Sequence, residues 1–241
     1  CVPAAGVHYF GDDRQCHLPW RRRPDVQTNG SRKPCDRWLI QPGRPQAGEA
    51  LVQLATRTEH PDIACRRLQG RDQGAFILFE GIDRCGKSTQ AKAVTAALRA
   101  AGVAVDEMRF PARETAIGSM LDAYLRQAAE LDDHAVHLLF AANRWEAASA
   151  IEAALAAGTT LIVDRYSYSG MAFTAAKGYS LEWCAAPEIG LPKPDSIIYM
   201  DLSIEDAAKR GGYGGERYEK EEFQRIVRGI FEDMAAADPE T

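Results

Sequence analysis

Nowhere does this sequence stay apolar for the roughly 18 residues that a membrane-spanning helix requires. Its longest apolar runs, around 160–163 and 197–200, are strand-sized, so the chain is expected to be soluble, unanchored by a helix and without a membrane partner. Basic residues are also in deficit, with 29 Lys and Arg facing 34 Asp and Glu. Residues 1–73 carry 12 basic against 8 acidic side chains, which leaves 17 (29 less 12) against 26 (34 less 8) in the remainder. An acidic domain lacks the array of phosphate contacts on which non-specific nucleic-acid binding depends. No nucleic-acid partner is expected, and any phosphate chemistry must rest on a few placed cations. Cysteine is sparse and badly spaced for metal. Cys1, Cys16, Cys35 and Cys65 match no zinc pattern, only Cys85 and Cys184 follow, and no secretory signal precedes them; this points to free thiols in a reducing, cytoplasmic compartment. There is no internal repeat, and no N-K-x-D motif that a GTPase would use for guanine.

What the chain does contain divides at about residue 73. Residues 1–73 are punctuated by Pro3, Pro19, Pro24, Pro34, Pro42, Pro45 and Pro61 and carry no sustained apolar periodicity. Only 47–56 suggests a short helix. Such a stretch buries too little apolar surface to offset its ordering entropy, and it is expected to be an unfolded or artefactual extension. Its arginines suit a mitochondrial transit peptide, but its eight acidic residues do not. Residues 74–241 form the expected domain. Strands are predicted at 75–80, 103–110, 159–163 and 196–201. Helices are predicted at 88–101, 117–127, 133–157, from Ser203 to 209 behind the capping signature Ser203-Ile-Glu-Asp206, and at 219–234. Strands alternating with helices imply an α/β fold, a parallel sheet flanked by helices on both faces.

The sharpest motif is Gly81-Ile-Asp-Arg-Cys-Gly86-Lys87-Ser88, placed between a predicted strand and a predicted helix. Phosphates must be wrapped by backbone N–H groups, and glycine lets the backbone approach without a Cβ in the way. The helix that follows presents its positive end to the anion. Lys87 would reach the outer phosphates, and the Ser88 hydroxyl would ligate Mg²⁺. An aspartate ending a buried strand, Leu161-Ile-Val-Asp164, is the natural second holder of that ion. Arg165 follows it directly, and a guanidinium there can stabilise a phosphoryl group in transfer. Phe140 and Arg144 are spaced i, i+4 on one helix face, an aromatic plus a planar fork that would suit a pyrimidine. The glycines of Arg210-Gly-Gly-Tyr-Gly-Gly215 make a loop flexible enough to close over substrates.

These segments occur together with Arg109-Phe-Pro111, His137-Leu-Leu-Phe-Ala-Ala-Asn-Arg-Trp-Glu146, Asp164-Arg-Tyr166, Ser169-Gly170, Gly190-Leu-Pro-Lys-Pro-Asp195 and Glu216-Arg-Tyr-Glu219. In this order and at these separations they resemble the eukaryotic-type thymidylate kinases, over roughly residues 75–235. The resemblance implies the P-loop nucleotide-kinase fold, ATP as donor with Mg²⁺, dTMP as acceptor and a homodimer, with the helix at 133–157 a candidate for the dimer contact. It implies that Gly81, Arg84, Cys85, Gly86, Lys87, Ser88 and Thr89 bind ATP, and that Arg84, Lys87, Asp164 and Arg165 are catalytic. It places Asp83 on the deoxyribose 3′-hydroxyl, Arg113 on the monophosphate beside Phe110, Phe140 on the base face and Arg144 on the base edge. Arg165 would bridge the two substrates' phosphates. Tyr166, Gly170 and Phe173 would line the sugar and base, Tyr166 crowding a 2′-hydroxyl, with Tyr218 near the nucleoside at the end of a lid spanning 210–218. Two departures stand out: Ala112 replaces a usual Glu, and the family continues for about a strand and a helix beyond 241, a loss of sheet edge and of some adenine-side packing. Two other readings stay open at this level, a kinase for dUMP or a deoxynucleoside and a non-catalytic nucleotide-binding module.

Overall fold

The structure is a computed structural model and describes residues 73–237 together with the strand at residues 36–40; the short helix suggested at 47–56 lies outside the described residues. Five strands form one parallel sheet: β1 (Asp36–Ile40), β2 (Phe76–Glu80), β3 (Val105–Arg109), β4 (Thr160–Asp164) and β5 (Ser196–Met200), in the order β1-β5-β2-β4-β3. The helices are α1 (Lys87–Ala100), α2 (Ala116–Leu125), α3 (Asp133–Ala156), α4 (Ser167–Ala175), α5 (Leu181–Ala185), α6 (Ile204–Ala208) and α7 (Glu221–Ala237), with a 3₁₀ turn at Ala186–Glu188.

The strands follow from composition. β4 is buried at every position and β2 at four of five, as central strands covered on both faces must be. β3 alternates less and exposes Asp106, Glu107 and Arg109, the charged dress of an edge strand. Two apolar layers cover the sheet. On one face Ala91, Val94 and Leu98 of α1 and Ile204 and Ala207 of α6 pack beneath Phe79, Ile162 and Ile198. On the other, Ile151 and Leu155 of α3, Met171 of α4, and Val227, Phe231 and Met234 of α7 meet Phe76, Leu78, Leu161 and Val163. Among the described residues, no helix is long and apolar enough to cross a membrane.

Three features differ from the sequence reading. α4 and α5 were not anticipated; α4 is buried at seven of nine positions, and a helix hidden all round has no polar face to reveal its period. The extension is not wholly outside the fold. β1 pairs in parallel with β5, Asp36 opposite Ser196 through Ile40 opposite Met200, so a strand from the N-terminal side forms that edge of the sheet.

The sheet order positions the site. β2 is flanked by β4 and β5, and the chain leaves β2 first toward β3 and β4, then crosses to the other side for β5. This is the switch point at which parallel sheets open a crevice beyond their strand ends. Phe79 pairs with Asp164, and Arg165 N–H donates to Phe79 O at 3.0 Å. The turn after β2 and the turn after β4 therefore lie side by side.

Candidate active site

The loop leaving β2 depends on glycine at two positions. At Gly81 (φ 141°) a Cβ would lie 2.6 Å from Met200 O, and Gly86 (φ 103°) turns the chain into α1. No side chain caps α1 at Gly86, so its first-turn N–H groups are not claimed by a capping side chain, the arrangement that binds anions. Lys87 is buried, its Nζ donating to Gly81 O (3.1 Å) and Ile82 O (2.6 Å). Ser88 Oγ donates to Asp164 Oδ2 at 2.5 Å, while Asp164 Oδ1 is buried with no hydrogen-bond partner. A hydroxyl beside a carboxylate with one uncommitted oxygen is a hard-oxygen donor pair and fits Mg²⁺. Among the described residues no cluster of three or more His, Cys, Asp or Glu could hold a metal by itself, so such an ion would take most of its shell from phosphate and water.

After β4 the backbone turns left-handed at Arg165 (φ 66°). Its Nη1 donates to Gly81 O (3.1 Å) and Ser169 Oγ (3.0 Å), and its Nη2 to Asp83 Oδ1 (2.5 Å). Burial opposes the charge of Arg165, but the carboxylates of Asp83, Asp164 and Glu80 outweigh it and hold the guanidinium above its usual range. Glu80 organises this turn from below. Its carboxylate accepts from Tyr166 N–H (2.9 Å), Ser169 N–H (3.1 Å) and Ser169 Oγ (2.6 Å). Burial lifts its pKa even so, against the hydroxyl of Ser169 and the charge of Arg165.

A cavity of about 480 Å³ opens beyond these turns. Of the residues singled out from the sequence, all but Gly81 and Cys85 line it. The Cys85 side chain is fully buried in the layer beneath α1, so its expected contact to ATP is left to its backbone. Phe110 and Tyr166 form one wall, ring centroids 5.4 Å apart, with Tyr166 wholly buried against Phe76 at 5.2 Å. Arg113 is held by Asp122 (2.5 Å) and Glu216 (2.7 Å). Phe173 lies under Arg165, whose Cζ is 5.3 Å from the ring centre, and beside Tyr218 at 5.5 Å. Burial, with the Tyr124 hydroxyl 3.3 Å away, raises the Tyr218 phenol well above its ordinary value. Phe140 and Arg144 line the cavity from α3.

The Gly-rich lid is tied to the loop it faces. Arg84, itself left-handed (φ 60°), donates to Glu219 Oε1 (2.6 Å), Gly211 O (3.1 Å) and Gly212 O (2.8 Å), and Arg210 donates back to Arg84 O (2.8 Å). Sequence reasoning placed Arg210 only within the lid and gave no site role to Glu80, Glu219 or Gln224. Gln224 accepts from Asp83 N–H (2.8 Å) and donates to Asp83 Oδ2 (2.7 Å). It is a buried polar residue on the apolar stripe of α7, and that mismatch is the signal that could have found it.

The sequence profile of the thymidylate kinase family matches residues 79–240. The chain belongs to that family. A thymidylate kinase of Arabidopsis thaliana is 55% identical over 164 residues, covering 68% of this chain and 62% of the relative; the chain thus spans less than two thirds of that relative's length. One of Dictyostelium discoideum is 52% identical over 167 residues (69% and 75%), and one of Homo sapiens 52% over 163 (67% and 77%). The solved structure of a thymidylate kinase from Candida albicans is similar to this chain with a TM-score of 0.64 at 39% identity, covering 70% of this chain and 81% of that one. The family's P-loop fold, a parallel sheet between helices, is the one described above.

Proposed function

We propose that this chain phosphorylates dTMP to dTDP with ATP as donor, by direct in-line transfer. One observation carries the reading: the phosphate loop, the Ser88–Asp164 pair, Arg165 and the Phe140–Arg144 pair all face a single cavity. An oxygen of the acceptor's phosphate attacks the γ-phosphorus, and the bond to the β–γ bridging oxygen breaks to leave ADP. No covalent enzyme intermediate is required, so positioning and charge neutralisation supply the acceleration. Lys87 and the N–H groups of α1 hold the donor phosphates. Arg165, braced by Asp83 and Gly81, spans the gap to the acceptor, and Arg84 covers the moving group from the lid side. Ser88 and Asp164 would hold Mg²⁺, which offsets charge on the phosphate oxygens when bound. Asp83 would receive the 3′-hydroxyl, Arg113 the monophosphate, and Phe140 the base.

We also read α3 as the homodimer contact: Leu138 (51% exposed) and Trp145 (43% exposed) lie two turns apart on its outer side. Free Cys85 and Cys184 suit a cytoplasmic setting. An ADP-release assay across dTMP, dUMP, dCMP and thymidine tests the activity. Clear preference for dTMP supports it. Equal or better turnover of a nucleoside, or nucleotide binding with no turnover, would replace it by one of the rival readings.

A further inference from the structure

Arg144 and Glu188 are both buried, at 2% and 0% exposure, and 44 residues apart in sequence. Glu188 ends the 3₁₀ turn after α5 and grips the guanidinium along one edge: Arg144 Nε donates to Oε2 at 2.8 Å, and Nη2 donates to Oε1. On another side lies Gly170 of α4, so close that a Cβ there would stand 2.5 Å from Nη2 and 3.2 Å from Nη1. The turn that carries Glu188 is itself fastened to α3, the helix of Phe140 and Arg144. Trp145 Nε1 donates to Pro187 O (2.8 Å), and His137 Nε2 lies 3.0 Å from Cys184 O.

We propose that Glu188 is a positioning residue that sets base specificity by fixing which edge of Arg144 meets the cavity. A guanidinium has five N–H donors and no acceptor. Glu188 occupies the Nε–Nη2 edge, which leaves the Nη1 end for the cavity Arg144 lines. A base group placed there must accept: a ring carbonyl is welcomed, while an exocyclic amino group meets donor against donor. The close approach that Gly170 allows and the two-pronged grip of Glu188 together keep the side chain from swinging aside to relieve that clash. Without the grip, the same arginine would still attract a carbonyl but would no longer hold one orientation. This role rests on the proposed dTMP kinase reading.

The test compares wild type with Glu188→Gln and Glu188→Asp, each checked for thermal midpoint. Measured are kcat and KM for dTMP, dUMP and dCMP, and KM for ATP. In Glu188→Gln the KM for dTMP is expected to rise about ten-fold or more, as a displaced binding group predicts, and the preference for dTMP over dCMP to fall comparably. kcat at saturation and KM for ATP should stay within about two-fold, because the phosphate machinery is untouched. Glu188→Asp, which keeps the charge, should restore part of the preference; it carries the same comparison if Glu188→Gln does not fold. In an Arg144→Met background, Glu188→Gln should change the preference no further. If the variants keep wild-type KM and preference and lose only thermal stability, Glu188 merely neutralises a buried charge and the proposal is overturned. If wild type itself shows no preference for dTMP over dCMP, the dTMP reading fails and this role falls with it.

Discussion

Arg165 combines a left-handed backbone, a carboxylate partner and a place on the cavity wall. A non-glycine residue at φ 66° carries strain of order 1 kcal/mol, and such strain persists where the surroundings hold it. Here Glu80 accepts from the N–H groups of Tyr166 and Ser169 and locks the turn. Replacing Arg165 by Ala should therefore lower turnover by about 10²–10³-fold, the usual loss for one electrostatic stabiliser, with the fold retained. Lys87→Ala should act alike. Steady-state kinetics beside circular dichroism would check both; wild-type-like turnover in either variant would refute the assigned roles. Both positions stand out in the sequence on local grounds, Lys87 within the Gly81–Ser88 loop and Arg165 directly after the strand-ending Asp164. Glu80 was not singled out, since its role depends on the turn after β4, more than 80 residues away.

At the scale of elements, His137 ties three helices together. It leaves α3 fully buried, with Nδ1 2.8 Å from Thr174 Oγ1 of α4 and Nε2 3.0 Å from Cys184 O of α5. Burial depresses its pKa, outweighing the nearby Glu188 carboxylate, and the charges of Arg144 and Lys177 add to the depression. The sign follows from linkage. Below an unfolded value of about 6.5 the unfolded chain binds a proton more readily than the folded one, so stability is full above that pH and is lost as pH falls through the folded value. Urea denaturation should show a lower midpoint at about pH 5.5 than at about pH 7.5, and His137→Gln, which cannot titrate, should shrink that difference. An equal pH difference in the variant would assign the effect elsewhere. The same three helices show how far pattern reading reaches. α3 was visible because it is long; the structure adds that Asp132 caps it, its side chain accepting from His134 and Ala135 N–H. α4 was hidden by its burial, and α5 by its five-residue length.

On the scale of the whole molecule, the sheet has one covered crevice and two edges. β3 protects its edge with charge, and β1 covers β5. Removing residues 1–73 would expose the unpaired backbone of β5, a template for association. The truncated chain should melt roughly 5 °C lower, at about 2–4 °C per kcal/mol for this size, and scatter more light at equal concentration. Its KM for ATP and dTMP should not change, because the cavity-lining residues among those described all lie between Asp83 and Glu219. Calorimetry and light scattering decide it; an unchanged midpoint would show that β1 adds nothing to stability.

The amino-acid sequence by itself determined the parallel α/β class, the phosphate loop, the strand-ending Asp164 and the Phe140–Arg144 pair. Each is written in neighbours within a few residues, where period, turn and cap are local matters. The tertiary structure alone decided the partners. Gln224 reaches Asp83 across 141 positions, Glu219 reaches Arg84 across 135, and Glu188 reaches Arg144 across 44. A buried charge requires a partner, but packing chooses which one, and no spacing along the chain records that choice.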